Sequence, residues 1–284
     1  MHEIDQAPQM QAWSDRVREA GERIGFVPTM GYLHEGHISL VREARRRADR
    51  CVASIFVNPL QFGPNEDLSH YPRDLDRDRD QLSQAGVDAL YLPTTATMYP
   101  AGFQTHVDVT EVTSGLCGQS RPEHFRGVTT VLTKLFNTVK PHVAFFGEKD
   151  FQQLVTVRRM VKDLDFDIEV AGMPIVREDD GVAMSSRNKY LSSDERTAAR
   201  CLSLALEAAR QEVALGQRSA DRLRHRVEDI IQEEPLARID YVELVDVESL
   251  RAVTRIEQST LLALAVRFGA TRLIDNAVLE PVGG

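Results

Sequence analysis

Strand-length apolar runs alternate with helix-length amphipathic stretches through roughly the first 175 residues, and this alternation constrains the fold more than any other feature. Residues 24–27, 51–57, 89–92 and 143–146 read as strands covered on both faces, being short and rich in β-branched or aromatic side chains. Ile38, Val41, Ala44 and Ala48 fall on one helix face, and Leu75, Leu82 and Ala85 mark a second. Val128, Val131, Leu132, Leu135 and Val139 mark a third, which must end before Pro141. The pattern predicts an α/β fold, a doubly wound parallel sheet with its ligand beyond the carboxyl ends of the strands.

After Gly181 the character changes. Residues 194–233, rich in Ala, Leu, Arg and Glu, read as two helices broken near Gly216, followed by strands over 239–245, 261–268 and 271–274. This predicts two domains: a catalytic one over 1–175, and a smaller C-terminal α+β one over 176–284. The formal charge of −9 argues against general nucleic-acid binding, which calls for a basic face. It leaves room for a small polyanion held by local cations and helix N-termini. No run approaches the roughly 18 apolar residues of a membrane span. The first ten residues do not read as a signal peptide, and Cys51, Cys117 and Cys201 are too scattered for a disulfide framework or zinc site. A cytoplasmic enzyme is the expectation.

Four motifs sit where that fold would place a ligand. The first, PTMGYLHEGH at 28–37, joins a strand to a helix. His34 and His37 would flank the helix N-terminus, whose unpaired N–H groups and dipole attract phosphate. Alternatively, one histidine caps the helix and the other is incidental. The second, from Asn58 through Gln61 to Tyr71-Pro72-Arg73, follows the next strand. Gln61 carries both a donor and an acceptor for a hydroxy acid, or is a solvated loop amide. The third, Gly147-Glu148-Lys149-Asp150, could put a compact positive charge on phosphates, or could simply place acidic residues at a helix start. The fourth, Met184-Ser185-Ser186-Arg187-Asn188, is a donor-rich loop at the domain junction, suited to a triphosphate and to a closing lid, or an ordinary Ser-rich connection.

An HxGH pair at a strand-to-helix turn is the signature of the nucleotidylyl-transferase superfamily, and the sheet is accordingly expected to be Rossmann-like. The extended segments PTMGYLHEGH, FVNPLQF with YPR, GEKDFQQ and MSSRN more narrowly resemble the pantothenate synthetase family. Tyr32 stands where that family usually has Ala, and Phe151 where it has Tyr.

The resemblance implies a ligase that condenses pantoate with β-alanine, converting ATP to AMP and pyrophosphate through a bound pantoyl adenylate. It assigns ATP contacts to Met30, Gly31, Tyr32, Leu33, His34, Glu35, Gly36, His37, Gly147, Glu148, Lys149, Asp150, Val176, Met184, Ser185, Ser186 and Arg187. Of these, His34, His37, Lys149, Ser185, Ser186 and Arg187 would be catalytic. Gln61 and Gln153 would hold pantoate, Gln61 would also lie near β-alanine, and Pro28, Thr29, Asn58 and Tyr71 would shape the pocket. Arg126, Thr130 and Asn188 would lie nearby. Asp78 and Gln81 occupy the places from which the family helps hold Mg²⁺, although Arg77 stands where relatives carry a further Asp. A homodimer is the implied assembly. Rival readings are a nucleotidylyl transferase that keeps a dinucleotide product, which the uncharged Gln61 and Gln153 disfavour, and a non-catalytic nucleotide sensor, which the intact HxGH and Lys149 disfavour.

Overall fold

The structure, a computed structural model, describes residues 1–64 and 66–281. The chain divides into two compact units. The first comprises Met1–Thr110, Arg121–Glu148 and Thr156–Pro174; the second comprises Glu111–Ser120, Lys149–Val155 and Ile175–Gly284. Two short stretches that precede residue 175 in sequence thus pack with the second unit.

The first unit is built on six parallel strands: β1 (His2–Ile4), β2 (Ile24–Thr29), β3 (Arg50–Ile55), β4 (Ala89–Tyr91), β5 (Val143–Gly147) and β6 (Glu169–Met173), in the order β1-β4-β3-β2-β5-β6. The chain steps outward from β2 through β3 to β4, then crosses back to β5 and β6. The winding reverses beside β2, and the carboxyl ends of β2 and β5 are where such sheets bind ligands. The fold class predicted from sequence is the one observed.

Helices α1 (Ala7–Glu19), α2 (Glu35–Arg47), α3 (Leu75–Gln84), α4 (Thr95–Met98), α5 (Cys117–Ser120), α6 (His124–Val139) and α7 (Phe151–Asp163) follow in chain order. Val41 and Ala44 of α2 are fully buried against a cluster that includes Val27, Ala53, Leu90 and Phe145, as the 3.6-residue spacing requires. α6 stops at Lys140, whose φ of 48° turns the chain left-handed ahead of Pro141. Strands β1 and β6 went unread in the sequence. Both lie at sheet edges and are mostly exposed or half-buried, so the fully covered strand pattern does not mark them.

The second unit contains α8 (Ser193–Ala198), α9 (Arg200–Ala214) and α10 (Ala220–Gln232), then β7 (Ala237–Asp246), β8 (Thr260–Phe268) and β9 (Thr271–Leu279) as an antiparallel sheet. Its own core joins Leu202, Leu206 and Val213 of α9 and Leu223 and Val227 of α10 to Leu262, Leu264 and Val266 of β8.

Candidate active site

In the first unit, β2 runs through Pro28 and Thr29 into a turn where Gly31 and Tyr32 both take positive φ, 83° and 51°. Thr29 Oγ1 donates to Ser54 O at 2.8 Å and accepts the Gly31 N–H, tying the turn to β3. The bend leaves the Tyr32 and Leu33 N–H groups pointing inward. Asp78 of α3 receives both, each at 2.7 Å, one on each carboxylate oxygen. Burial pushes the Asp78 carboxyl up, and the two N–H donors pull partly against that. Arg77 stacks its guanidinium over the Tyr32 ring, 5.3 Å from the centroid, so the departure at Tyr32 is packed rather than idle.

Helix α2 begins at Glu35 with His34 in the N-cap position. The His34 and His37 rings are 4.1 Å apart, and the His34 N–H donates to His37 Nδ1 at 3.3 Å. An Nδ1 that accepts must be unprotonated, so the neutral ring carries its hydrogen on Nε2 as a donor. Met30 and Gly36 complete the loop, with the Gly36 carbonyl accepting from Ser39 Oγ.

Beyond β3, a single 3-10 turn, Pro59–Gln61, carries the second motif. Asn58 is buried, with Oδ1 accepting from Leu60 N–H and from Tyr99 Oη, and Nδ2 donating to Gly127 O and Gln61 Oε1. Gln61 Nε2 points at Met30 Sδ, 3.0 Å away, joining the first and second motifs. Tyr71 is buried with its ring edge-on to Phe62. Arg126 and Thr130 lie on α6, and Thr130 Oγ1 accepts from Val107 N–H. At the end of β5, Gly147 and Glu148 lead out of the unit.

In the second unit, Lys149 Nζ lies 3.4 Å from Asp150 Oδ2, and the Lys149 carbonyl accepts from Asn276 Nδ2 at 2.9 Å. Gln152 and Gln153 divide their work. Gln152 is buried and spends its amide on Cys117 N–H, Val112 O and Gly115 O, while Gln153 is only half-buried. Met184 N–H pairs with Val176 O at 3.0 Å. A 3-10 turn, Ser186–Tyr190, then starts with Ser185 Oγ accepting from Arg187 N–H. Asn188 Nδ2 donates to Glu178 Oε1 and Ala183 O, closing the loop on itself. Arg177, next to Val176, makes a bidentate pair with Asp275 at 2.7 and 2.9 Å. Asp275 is 2% exposed, and Asn276 N–H bonds to its Oδ1. Adjacent residues of β9 therefore hold the segments carrying Val176 and Lys149. The sequence pattern marked a strand over 271–274 but gave Asp275 and Asn276 no role; their signal was a polar Asp-Asn pair within a strand.

Mg²⁺ was expected at Asp78 and Gln81. Asp78 is 1% exposed with both oxygens committed to main-chain N–H groups. Gln81 Oε1 is buried without a hydrogen-bond partner, and the described residues hold no group of three or more His, Cys, Asp or Glu suited to a metal. Asp78 in this arrangement serves the Tyr32–Leu33 turn, while Gln81 Oε1 is an unsatisfied acceptor on the same helix.

A six-stranded parallel sheet whose strand β2 opens into an HxGH helix start makes this an α/β protein of the doubly wound class. Comparison narrows the class. A family model described as pantoate-beta-alanine ligase matches residues 2–278, and the chain belongs to that family. It is 59% identical over 279 residues to a pantothenate synthetase of Geobacter sulfurreducens, covering 98% of this chain and 99% of the relative. A pantothenate synthetase of Syntrophobacter fumaroxidans is 57% identical over 281 residues, with 99% of each chain covered. The crystal structure of pantothenate synthetase from Thermus thermophilus superposes with a TM-score of 0.94 at 46% identity, covering 99% of this chain and all of that one. The Francisella tularensis pantoate-beta-alanine ligase, described as complexed with beta-gamma ATP and beta-alanine, gives a TM-score of 0.80 at 33% identity, covering 98% and 97%.

Proposed function

We propose that the protein joins pantoate to β-alanine with cleavage of ATP to AMP and pyrophosphate. The observation that carries this reading is the His34–His37 pair at the start of α2, at the carboxyl end of the central strand β2. A pantoate carboxylate oxygen attacks the α-phosphorus of ATP, and the bond to the pyrophosphate oxygen breaks. His37 Nε2–H and the His34 ring donate to phosphoryl oxygens whose charge rises as pyrophosphate leaves. Lys149, Ser185, Ser186 and Arg187 serve the same leaving group, while Glu35, Glu148, Asp150, Val176 and Met184 line the nucleotide. The β-alanine amine then attacks the pantoyl carbonyl, AMP departs with the bridging oxygen, and one amine proton goes to solvent.

Gln61 and Gln153 hold pantoate. No protein nucleophile is needed, so catalysis rests on positioning and charge stabilisation. Mg²⁺, where it accompanies ATP, would supply neutralising charge on the phosphates. The same reading gives a cytoplasmic homodimer, for which light scattering should return twice the 31.9 kDa chain mass. The function is tested by product analysis with α-labelled ATP. AMP formed only when pantoate and β-alanine are both present supports the ligase. A stable dinucleotide product supports a nucleotidylyl transferase, and absence of turnover in the folded protein contradicts both.

A further inference from the structure

A free glutamine amide can offer either its oxygen or its NH₂ to a ligand. Gln61 does not have that choice. Asn58, beside it, is held by two main-chain groups whose roles cannot be exchanged. The Leu60 N–H can only donate, and it faces Asn58 Oδ1 at 3.2 Å; the Gly127 carbonyl can only accept, and it faces Asn58 Nδ2 at 3.0 Å. Tyr99 Oη adds a second donor to Oδ1 at 2.8 Å. Burial raises the Tyr99 pKa above its ordinary value, so its hydroxyl keeps its proton throughout the pH range of enzyme assays.

With Asn58 so oriented, the other Nδ2 hydrogen goes to Gln61 Oε1 at 3.1 Å. Gln61 must then present Nε2, which aims at the thioether of Met30, a weak acceptor. A carboxylate or hydroxyl oxygen would readily displace that contact.

The Gln61 main chain is fixed as well. Its carbonyl accepts from His124 Nδ1 at 2.9 Å and Arg121 Nη2 at 3.2 Å, and Arg121 is itself clamped by both oxygens of Glu66 at 2.6 Å. At Gly127 a Cβ would come within 2.3 Å of Leu60 O, so α6 approaches the Pro59–Gln61 turn as closely as it does only because that residue is glycine.

We propose that Tyr99, acting through Asn58, is a positioning residue that fixes Gln61 as an N–H donor, so that this position selects a substrate presenting an oxygen acceptor. The proposal rests on reading Gln61 as a pantoate contact and adds the direction of its hydrogen bond.

Three variants of the full-length enzyme test it, each read as KM for pantoate, KM for ATP and kcat, with the melting temperature as a check on folding. Gln61→Glu keeps an oxygen for Asn58 Nδ2 and replaces the donor with a second oxygen. Pantoate KM should rise more than 100-fold, while ATP KM stays within about twofold. Retained pantoate affinity alongside a loss in Gln61→Ala would show that Gln61 accepts, overturning the proposal. Tyr99→Phe removes one hydroxyl and should raise pantoate KM about 3- to 10-fold with ATP KM unchanged, the loss typical of one hydrogen bond. An unchanged pantoate KM in Tyr99→Phe, with Gln61→Glu impaired, would overturn the relay alone. If all three variants left pantoate KM unchanged, Gln61 would not contact pantoate, and the underlying site assignment would fail instead.

Discussion

The carboxylate of Asp78 receives the Leu33 N–H at 2.7 Å, fastening the third helix to the turn that presents the HxGH histidines. Its second oxygen holds the neighbouring Tyr32 N–H. In Asp78→Asn one acceptor becomes an NH₂ group facing an N–H, a mismatch worth about 1–3 kcal/mol. Adenylate formation should fall about tenfold or more, with the Mg²⁺ concentration for half-maximal activity unchanged. Titration of activity against Mg²⁺ checks this, and a large rise in the Mg²⁺ requirement would make Asp78 a metal ligand after all.

His37 should contribute mainly to the first half of the reaction. Replacing it with Ala removes a donor aimed at developing charge, at a cost of about 3 kcal/mol, or 10²- to 10³-fold in rate. Single-turnover pyrophosphate release measures the effect. Near-normal release in a folded variant would remove His37 from catalysis.

Asn276 positions Lys149 from β9 through the lysine's own carbonyl. Asn276→Ala should raise the KM for ATP severalfold and leave the KM for pantoate within about twofold. It should also lower stability by about 1 kcal/mol, the usual net worth of such a bond. Steady-state kinetics with each substrate varied separately would expose equal losses, which would contradict the assignment.

The turn ahead of the MSSRN loop responds to acid. The Arg196 guanidinium beside Asp180 holds that carboxyl below its ordinary range. A depressed native pKa supplies stability that is present above the unfolded value of about 3.9 and is lost as pH falls through the native value. Asp180→Asn should therefore flatten the fall of melting temperature as pH drops below about 4. Scanning calorimetry across that range would show parallel curves if the pair did not persist in solution.

Much of this was legible from sequence because the informative patterns were local. Buried strands β2, β3 and β5 announce themselves as apolar runs, and α2 and α6 by their spacing. The HxGH, GEKD and MSSRN segments carry their chemistry within a few residues of one another. What escaped depends on separation along the chain. Tyr99 reaches Asn58 across 41 positions, Asp78 reaches Leu33 across 45, and Arg177 reaches Asp275 across 98. None of these partners is marked by a spacing rule, and each is recognisable only once the fold brings it to a backbone or side-chain group it satisfies. The same reason applies to Asp78: it shares a helix face with Gln81, but the sequence does not show that its carboxylate bonds the Tyr32 and Leu33 amides.

Oxygen transfer tests the acyl adenylate most directly. Pantoate carrying ¹⁸O in both carboxylate oxygens should be turned over with unlabelled ATP and β-alanine in ordinary water. If a carboxylate oxygen attacks the α-phosphorus and leaves with AMP, each AMP acquires one ¹⁸O and each pantothenate retains one, while pyrophosphate stays unlabelled. Mass spectrometry of the three products reads all of these at once. Unlabelled AMP, or label in inorganic phosphate with ADP as the nucleotide product, would contradict the adenylate route.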